Sequence, residues 1–357
     1  MALPIRTTYA PMDALSADQI PDDPGWQYEP KWDGFRCLAF RDGAHVHLQS
    51  KSGQPLGRYF PELVETLLAL KASKFVLDGE IVVPQDGTLS FDALLQRIHP
   101  AATRIRKLAT ETPATFVAFD LLVDDRAKDL SQLLLDVRRA ALGKFAARHF
   151  KSRRGLVLSP ATRDVKVARK WFAGVGGALD GIIAKRTDVP YQSGNRTGMV
   201  KVKKLRTADC VVGGFRYASK SKTVIGSLLL GLYDDDGLLH HVGFCSSFRT
   251  DERKRLAKML EPLVKPPGFT GRAPGGPSRW STERSAEWQP LAPKIVVEVR
   301  YDHFTGDRFR HGTAFLRWRP DKLPKQCTMA QVAQESATSP LKFLRSRASN
   351  HPRRKSA

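Results

Sequence analysis

Tyr28-Glu29-Pro30-Lys31-Trp32-Asp33-Gly34-Phe35-Arg36 sets a lysine immediately before an Asp-Gly turn and the start of a new extended segment. A lysine held at a strand end can be desolvated and can attack a phosphorus atom, which makes Lys31 a candidate nucleophile. An ammonium is not nucleophilic. Lys31 therefore needs burial and neighbours that favour the neutral amine, or a metal that displaces its proton. Lys31-Trp32-Asp33-Gly34 taken alone fits a plain surface turn equally well, so residues elsewhere must decide.

Further along, Leu77-Asp78-Gly79-Glu80-Ile81-Val82-Val83 places an acid within an apolar strand. An unpaired carboxylate is costly there, and a metal or a ligand hydroxyl would relieve the cost; an ion pair with one of the many basic residues would do so too. Phe116-Val117-Ala118-Phe119-Asp120-Leu121-Leu122 offers Phe119 at a strand end, suited to stacking on a flat base, although aromatics in strands more often belong to the core. Leu179-Asp180-Gly181-Ile182-Ile183-Ala184-Lys185 repeats the pattern of acid, glycine and apolar strand, now ending in a lysine. Asp180 offers a second hard oxygen for a magnesium ion, and Lys185 can reach a phosphate. Met199-Val200-Lys201-Val202-Lys203 alternates, so Lys201 and Lys203 share one face of a strand. Two like charges side by side call for an anion between them, and a triphosphate would serve.

The 357 residues suffice for two domains with separate cores, and an apolar fraction of 41% is ordinary for a globular protein. The four cysteines, Cys37, Cys210, Cys245 and Cys327, stand singly, which argues against structural zinc and secretion and for a reducing cytoplasm. No signal peptide or membrane-length apolar run is visible. A net charge of +22, from 58 basic and 36 acidic residues, points to a polyanion partner, nucleic acid above all, with an anionic membrane surface as the alternative.

Alternation and apolar runs predict strands at Val46–Gln49, Lys74–Val83, Thr115–Val123 and Leu179–Lys185. Helices are expected from Pro61, over Leu130–Phe145 with Ser131 as cap, and over Val165–Phe172 with a stop at Gly174 and Gly176-Gly177. After Thr207 the texture changes to short strands, Cys210–Tyr217, Ser227–Tyr233, Leu238–Phe244, Lys294–Tyr301 and Thr313–Trp318, with a helix over Asp251–Val264. Five strands and an inserted helix suit an OB-like barrel. Residues 329–357 read as a basic, mobile tail, and the division expected is 1–205, 206–328 and 329–357.

Taken together, the motifs closely resemble those of the covalent nucleotidyltransferases, and among them the ATP-dependent DNA ligases. Behind Lys31-Trp32-Asp33-Gly34-Phe35-Arg36 come Ser50-Lys51-Ser52-Gly53, Asp78-Gly79-Glu80, Phe119-Asp120, Asp180 to Lys185, and Lys201-Val202-Lys203. Phe315-Leu316-Arg317-Trp318-Arg319-Pro320-Asp321-Lys322 looks like the final motif of the barrel. The motifs keep the family's order over residues 25 to 325, and the last of them looks most like the C-type bacterial repair ligases. Lys51 stands where the family usually has arginine, which loses bidentate gripping but keeps a point charge. Asp180 stands in place of the more common glutamate, shortening the reach by one methylene.

The resemblance implies an α+β, two-domain architecture: a mixed α/β nucleotidyltransferase domain, ATP-grasp-like, followed by an OB-fold β-barrel. It implies ATP as co-substrate, Mg2+ or Mn2+ held by Glu80 and Asp180, and AMP carried on Lys31. Glu29 would recognise adenine and Phe119 stack on it. Arg36 and Lys51 would contact sugar or acceptor phosphate, Lys185 a phosphate, and Lys201 and Lys203 the α-phosphate. Arg317, Arg319, Asp321 and Lys322 would orient the pyrophosphate. The expected partner is nicked double-stranded DNA, with Ku-like, polymerase or primase repair proteins as further candidates, and the expected form is a cytoplasmic, nucleoid-associated monomer. Competing readings are an RNA ligase, a capping-type guanylyltransferase, or a noncatalytic DNA-binding protein on a ligase scaffold.

Overall fold

The computed structural model describes residues 2–151, 153–174, 179–275 and 287–333. The chain divides into two compact units, with the break between Lys203 and Lys204.

In the first unit β1 (Leu15–Ser16) and β2 (Trp26–Trp32) lead into the Asp33-Gly34 turn. This turn does not close a hairpin. It passes the chain from one sheet to another, because β3 (Phe35–Asp42) pairs with β4 (His45–Ser50) and not with β2. Gly34 permits the transfer: a Cβ there would meet the Ile81 carbonyl oxygen at 2.2 Å. Helix α1 (Pro61–Leu68) follows, started by the proline whose fixed φ suits a first turn. Then come β5 (Lys74–Val82), the two-residue strands β6 (Pro84–Gln85) and β7 (Thr88–Leu89), α2 (Phe91–Gln96), α3 (Ala102–Glu111), β8 (Thr115–Val123), α4 (Leu135–His149), β9 (Leu156–Leu158), α5 (Val165–Gly174), β10 (Leu179–Arg186) and β11 (Met199–Lys203).

One sheet has the order β4-β3-β5-β8-β9 and the other β1-β11-β10-β2. Strand alternation gives the first sheet two apolar faces. Cys37, Ala39, Leu77 and Ile81 pack with Leu63, Leu67, Leu142 and Phe145 of the helices, whereas Leu38, Phe40 and Val76 pack with Ile5, Met12 and Met199. Trp32, Val82, Val117 and Leu179 form a separate cluster with Phe119.

Helix α4 begins at Leu135, not Leu130, and Ser131 does not cap it. The segment before it is committed elsewhere: Leu130 N donates to Leu122 O at 2.8 Å, and Ser131 O accepts from Tyr191 N at 2.8 Å. The expected stop at Gly176-Gly177 lies outside the described residues.

The second unit is built on β12 (Arg206–Tyr217), a twelve-residue strand shared between partners. Its first half pairs with β16 (Val296–Tyr301), and its second half with β13 (Ile225–Tyr233), which in turn pairs with β14 (Leu239–Cys245). Helix α6 (Thr250–Leu260) packs Leu256, Ala257 and Leu260 into the core. β15 (Gln289–Pro290) adds to β12, β17 (Phe304–Thr305) pairs with β18 (Arg308–Phe309), and β19 (Ala314–Trp318) pairs with β16. The free edges of β14 and β19 meet through a Cys245–Thr313 bridge and a Phe315 N to Ser247 Oγ bond of 2.7 Å. Joined there without a full ladder, the strands have the partly open character of an OB fold.

The chain continues past β19 into a single turn, Met329–Val332, with Val332 in the core of this unit. Residues 334–357 lie outside the described residues. All four cysteines are buried and free; burial pushes the Cys37 and Cys210 thiols well above their ordinary range and Cys327 up to about 11. Among the described residues no helix is long and apolar enough to cross a membrane.

Candidate active site

Register places the site. In the sheet β1-β11-β10-β2, Gly181 of β10 lies opposite Lys31 on one side and Lys203 on the other, while Ile183 lies opposite Glu29 and Lys201. Directly opposed residues, and those two apart on a strand, share a face. Glu29, Lys31, Lys185, Lys201 and Lys203 therefore project from one side. The pairing of β10 with β2 slips between Leu179 and Gly181, which leaves Asp180 as the extra residue of a bulge. Such an irregularity re-aims a side chain, and the Asp180 carboxylate accepts a hydrogen bond from Lys31 Nζ while Lys203 Nζ lies 3.4 Å from the same Oδ2. Gly181 adopts φ +142°, and a Cβ there would meet the Val202 carbonyl oxygen at 1.9 Å. Only glycine lets the three strands close so tightly that two lysines reach one carboxylate.

Behind Lys31, Lys185 Nζ donates to Glu29 Oε2 at 2.9 Å, and Gln27 Nε2 donates to Glu29 Oε1 at 2.8 Å. Glu29 is 2% exposed and Lys185 6%. A pair this buried is retained only with further hydrogen bonds, and Gln27 supplies one. Lys185 Nζ also stands 4.4 Å from the centre of the Phe119 ring.

On the facing sheet Arg36 is in register with Glu80. Its guanidinium grips Asp78 through two bonds of 2.6 Å and lies 4.5 Å from the Phe119 ring centre. Tyr191 completes this cluster, donating to Asp78 Oδ2 at 2.6 Å and accepting from Met12 N at 2.9 Å. Phe119 sits in the interior of β8 and not at its end, at a register slip opposite Asp78 and Gly79. Alternation alone does not reveal such a slip, and the slip frees the ring from the regular pleat.

The electrostatics follow from crowding. Burial raises the Glu80 carboxyl to about 7, opposed by Arg36 and Lys31 and reinforced by Asp33 and Asp78. Lys201 is lowered, first by burial and then by the repulsion of Lys51, Lys31 and Lys203, against the attraction of Asp13. At the rim Lys51 Nζ donates to Asp13 Oδ2 at 2.8 Å.

A cavity of about 710 Å³ lies between these faces, with Glu29, Lys31, Arg36, Lys51, Glu80, Phe119, Lys185 and Lys201 on its wall. That volume suits a nucleotide. Asp180 and Lys203 are joined to the wall through Lys31. Arg317, Arg319, Asp321 and Lys322 belong to the second unit, where Arg319 and Lys322 gather on Asp209 and Arg317 Nε donates to Glu298 Oε2 at 2.5 Å.

Sequence reasoning assigned no role to Asp78, Gln27, Tyr191 or Asp209. For Asp78 and Asp209 a signal existed, since each is an acid set in an apolar strand run; for Tyr191, in an irregular loop, there was none.

Residues 11–203 match the ATP dependent DNA ligase domain family, and residues 221–322 match the ATP dependent DNA ligase C terminal region. The chain belongs to the ATP-dependent DNA ligases. It is 46% identical to "DNA ligase C2" of Mycolicibacterium smegmatis, over 93% of this chain and 96% of that protein. It is 44% identical to "DNA ligase C" of Mycobacterium tuberculosis, over 95% of this chain and 98% of that one. Among solved structures, a chain from a study of Lig E DNA ligases superposes with a TM-score of 0.55 at 17% identity, covering 87% of this chain and 99% of that chain, and so shares the fold. The ligase thus has the nucleotidyltransferase and OB-fold domains read from its motifs, and ATP is its co-substrate.

Proposed function

We propose that this ligase seals nicks bearing a 3′-hydroxyl and a 5′-phosphate by way of AMP bound covalently to Lys31, in DNA repair or recombination. The observation that carries the reading is the placement of Lys31: its amine lies on the cavity wall, bonded to Asp180, on a sheet face shared with Lys201 and Lys203. Asp180 accepts a hydrogen bond from the Lys31 amine and orients it. As the neutral amine attacks the α-phosphorus of ATP, the nitrogen–phosphorus bond forms, the bond to the β-phosphate oxygen breaks and the proton that the nitrogen gives up passes to solvent, so pyrophosphate leaves. Lys201 and Lys203 counter the charge on the α-phosphate, and Arg317, Arg319, Asp321 and Lys322 orient the departing pyrophosphate. AMP then passes to the 5′-phosphate of the nick; the 3′-hydroxyl attacks that phosphorus and AMP leaves.

Glu29 with its backbone recognises adenine, Phe119 stacks on it, and Lys185 reaches from Glu29 towards a phosphate. Arg36 and Lys51 contact sugar or the acceptor phosphate. Among the described residues no three His, Cys, Asp or Glu side chains gather to hold a metal unaided. The donor set nevertheless fits Mg2+ or Mn2+, which binds through one or two carboxylates with phosphates and water supplying the rest. Glu80, raised by burial and eased by a cation, and Asp180 would hold such an ion, which offsets triphosphate charge.

The strongly basic chain fits duplex DNA as substrate. A repair role is favoured by 29% identity to the "Multifunctional non-homologous end joining DNA repair protein LigD" of M. tuberculosis, over 90% of this chain and 39% of that protein. Ku-like, polymerase or primase proteins are the corresponding partners, and a monomer at the nucleoid in the cytoplasm is the working form. The test incubates the protein with magnesium and α-phosphate-labelled ATP, then chases with nicked DNA. We expect an acid-labile AMP adduct that Lys31→Ala lowers at least about a thousandfold and that nicked duplex discharges. An adduct undiminished in Lys31→Ala would remove Lys31 from the reaction, and labelling by GTP instead would favour capping-type chemistry.

A further inference from the structure

Arg319 and Lys322 lie beyond the end of β19; Arg319 N still donates to Val296 O of β16 at 2.9 Å, but the charged ends of the two side chains are gathered by one carboxylate. Asp209 is 8% exposed; its Oδ1 accepts from Arg319 Nη1 at 2.8 Å and its Oδ2 from Lys322 Nζ at 2.7 Å. Asp321 takes the other edge of the Arg319 guanidinium through Nε and Nη2, and Glu298 lies 4.0 Å from Arg319 Nη1.

Asp209 is itself held in an unusual way. It stands near the start of β12, paired with β16 on one side, but β13 joins the other edge only from Val211 onward. The main-chain N–H and carbonyl of Asp209 on that edge are taken by the Gln331 carboxamide: Asp209 N donates to Gln331 Oε1 at 3.0 Å, and Gln331 Nε2 donates to Asp209 O at 3.2 Å. One amide side chain, using its oxygen as acceptor and its Nε2 as donor, stands in for a missing strand, while Nε2 also lies 3.4 Å from Thr328 O. Its own turn is anchored, since Tyr233 N donates to Cys327 O at 2.8 Å, Thr328 bridges to Tyr233, and Cys327 and Val332 are buried. This segment lies past residue 322, where the match to the ligase C-terminal region ends.

We propose that the turn Met329–Val332 is a latch: Gln331 fixes the backbone of Asp209, and Asp209 fixes the two cations in the geometry that the pyrophosphate-expelling step needs. Gln331 and Asp209 are positioning residues. The inference rests on the reading that Arg319 and Lys322 serve that step.

The test compares two reactions of the full-length protein: self-adenylylation from ATP, and sealing of a nick whose 5′ end already carries AMP. Gln331→Met keeps the length of the side chain and removes both bonds to Asp209, along with the 3.4 Å bond from Gln331 Nε2 to Thr328 O. We expect it to slow self-adenylylation about tenfold or more, since small misplacements of catalytic groups are costly, while sealing of the preadenylylated nick keeps its wild-type rate. Asp209→Asn should slow the same step, and adding Gln331→Met to it should cost little more, because the two act as one unit. Wild-type adenylylation by Gln331→Met, or equal slowing of both reactions, would overturn the latch. Arg319→Ala separates the two ideas. If it leaves adenylylation unchanged, the assignment of the cluster fails and the latch with it; if it slows adenylylation while Gln331→Met does not, only the latch fails.

Discussion

The two units position their cations by opposite means. In the first, Lys31 and Lys203 are fixed by strand register, both opposed to Gly181, with a bulge delivering Asp180 between them. In the second, the charged ends of Arg319 and Lys322 are gathered by side chains, through a carboxylate that a distant amide holds in place. Register is set by many backbone bonds at once and tolerates no slip, since a shift of one residue turns every side chain to the other face. A side-chain clasp yields one bond at a time. The proposed nucleophile thus sits on the stiffer device, and the groups assigned to a leaving group that must depart sit on the more yielding one.

The sharpest way to break this contrast is Gly181→Ala. A methyl group there meets the Val202 carbonyl at 1.9 Å on a backbone with φ +142°, so the sheet must open or the strand must slip. The expected cost is about 3 kcal/mol of folding stability or more, with loss of the AMP adduct, checked by chemical denaturation and labelling. A variant of wild-type stability would show that register does not hold the site.

A smaller effect concerns Glu80, half-buried on the cavity wall and held at about 7 against an ordinary 4.5 by desolvation of its charge. Between those values the folded protein binds a proton that the unfolded chain has lost, so this group's contribution to stability falls as pH rises from about 4.5 to about 7 and is flat above. Glu80→Gln should remove a slope of at most about 1.4 kcal/mol per pH unit. Denaturation of both proteins at several pH values tests this; parallel profiles across the window would mean that Glu80 is not held protonated.

The smallest effect is expected at the surface of the second unit. Arg317 is 64% exposed and pairs with Glu298 at 2.5 Å. Arg317→Ala should change stability by about 0.5 kcal/mol or less, whatever it does to adenylylation. A larger loss would show that the clasped region is as interlocked as the sheet.

Much of the first unit was legible because its strands are apolar or alternating runs with clear ends: Thr115–Val123 and Met199–Lys203, one in each sheet, fall where those patterns place them. The acids at 80 and 180 were legible because a carboxylate inside such a run demands a partner. What the sequence did not disclose depends on neighbours far away in the chain. The Asp33-Gly34 turn looks the same whether it closes a hairpin or carries the chain to another sheet. The bulge at Asp180 and the slip beside Phe119 appear only when the opposing strand is known. Ser131 looks like a helix cap, yet its carbonyl is claimed by Tyr191. The bond between Asp209 and Gln331 spans 122 positions, and no local pattern foretells it.

The four cysteines have a practical corollary. It is the thiolate that attacks a maleimide or other alkylating reagent; all four thiols are buried out of reach of one, and Cys37, Cys210 and Cys327 are also held above their ordinary range, so they scarcely form it. The wild-type chain therefore gives a silent background for thiol labelling. A single cysteine introduced on the surface of each unit would carry a dye without first stripping out the native four, and whether the distance between the dyes changes during a turnover becomes a fluorescence experiment on an otherwise unaltered enzyme.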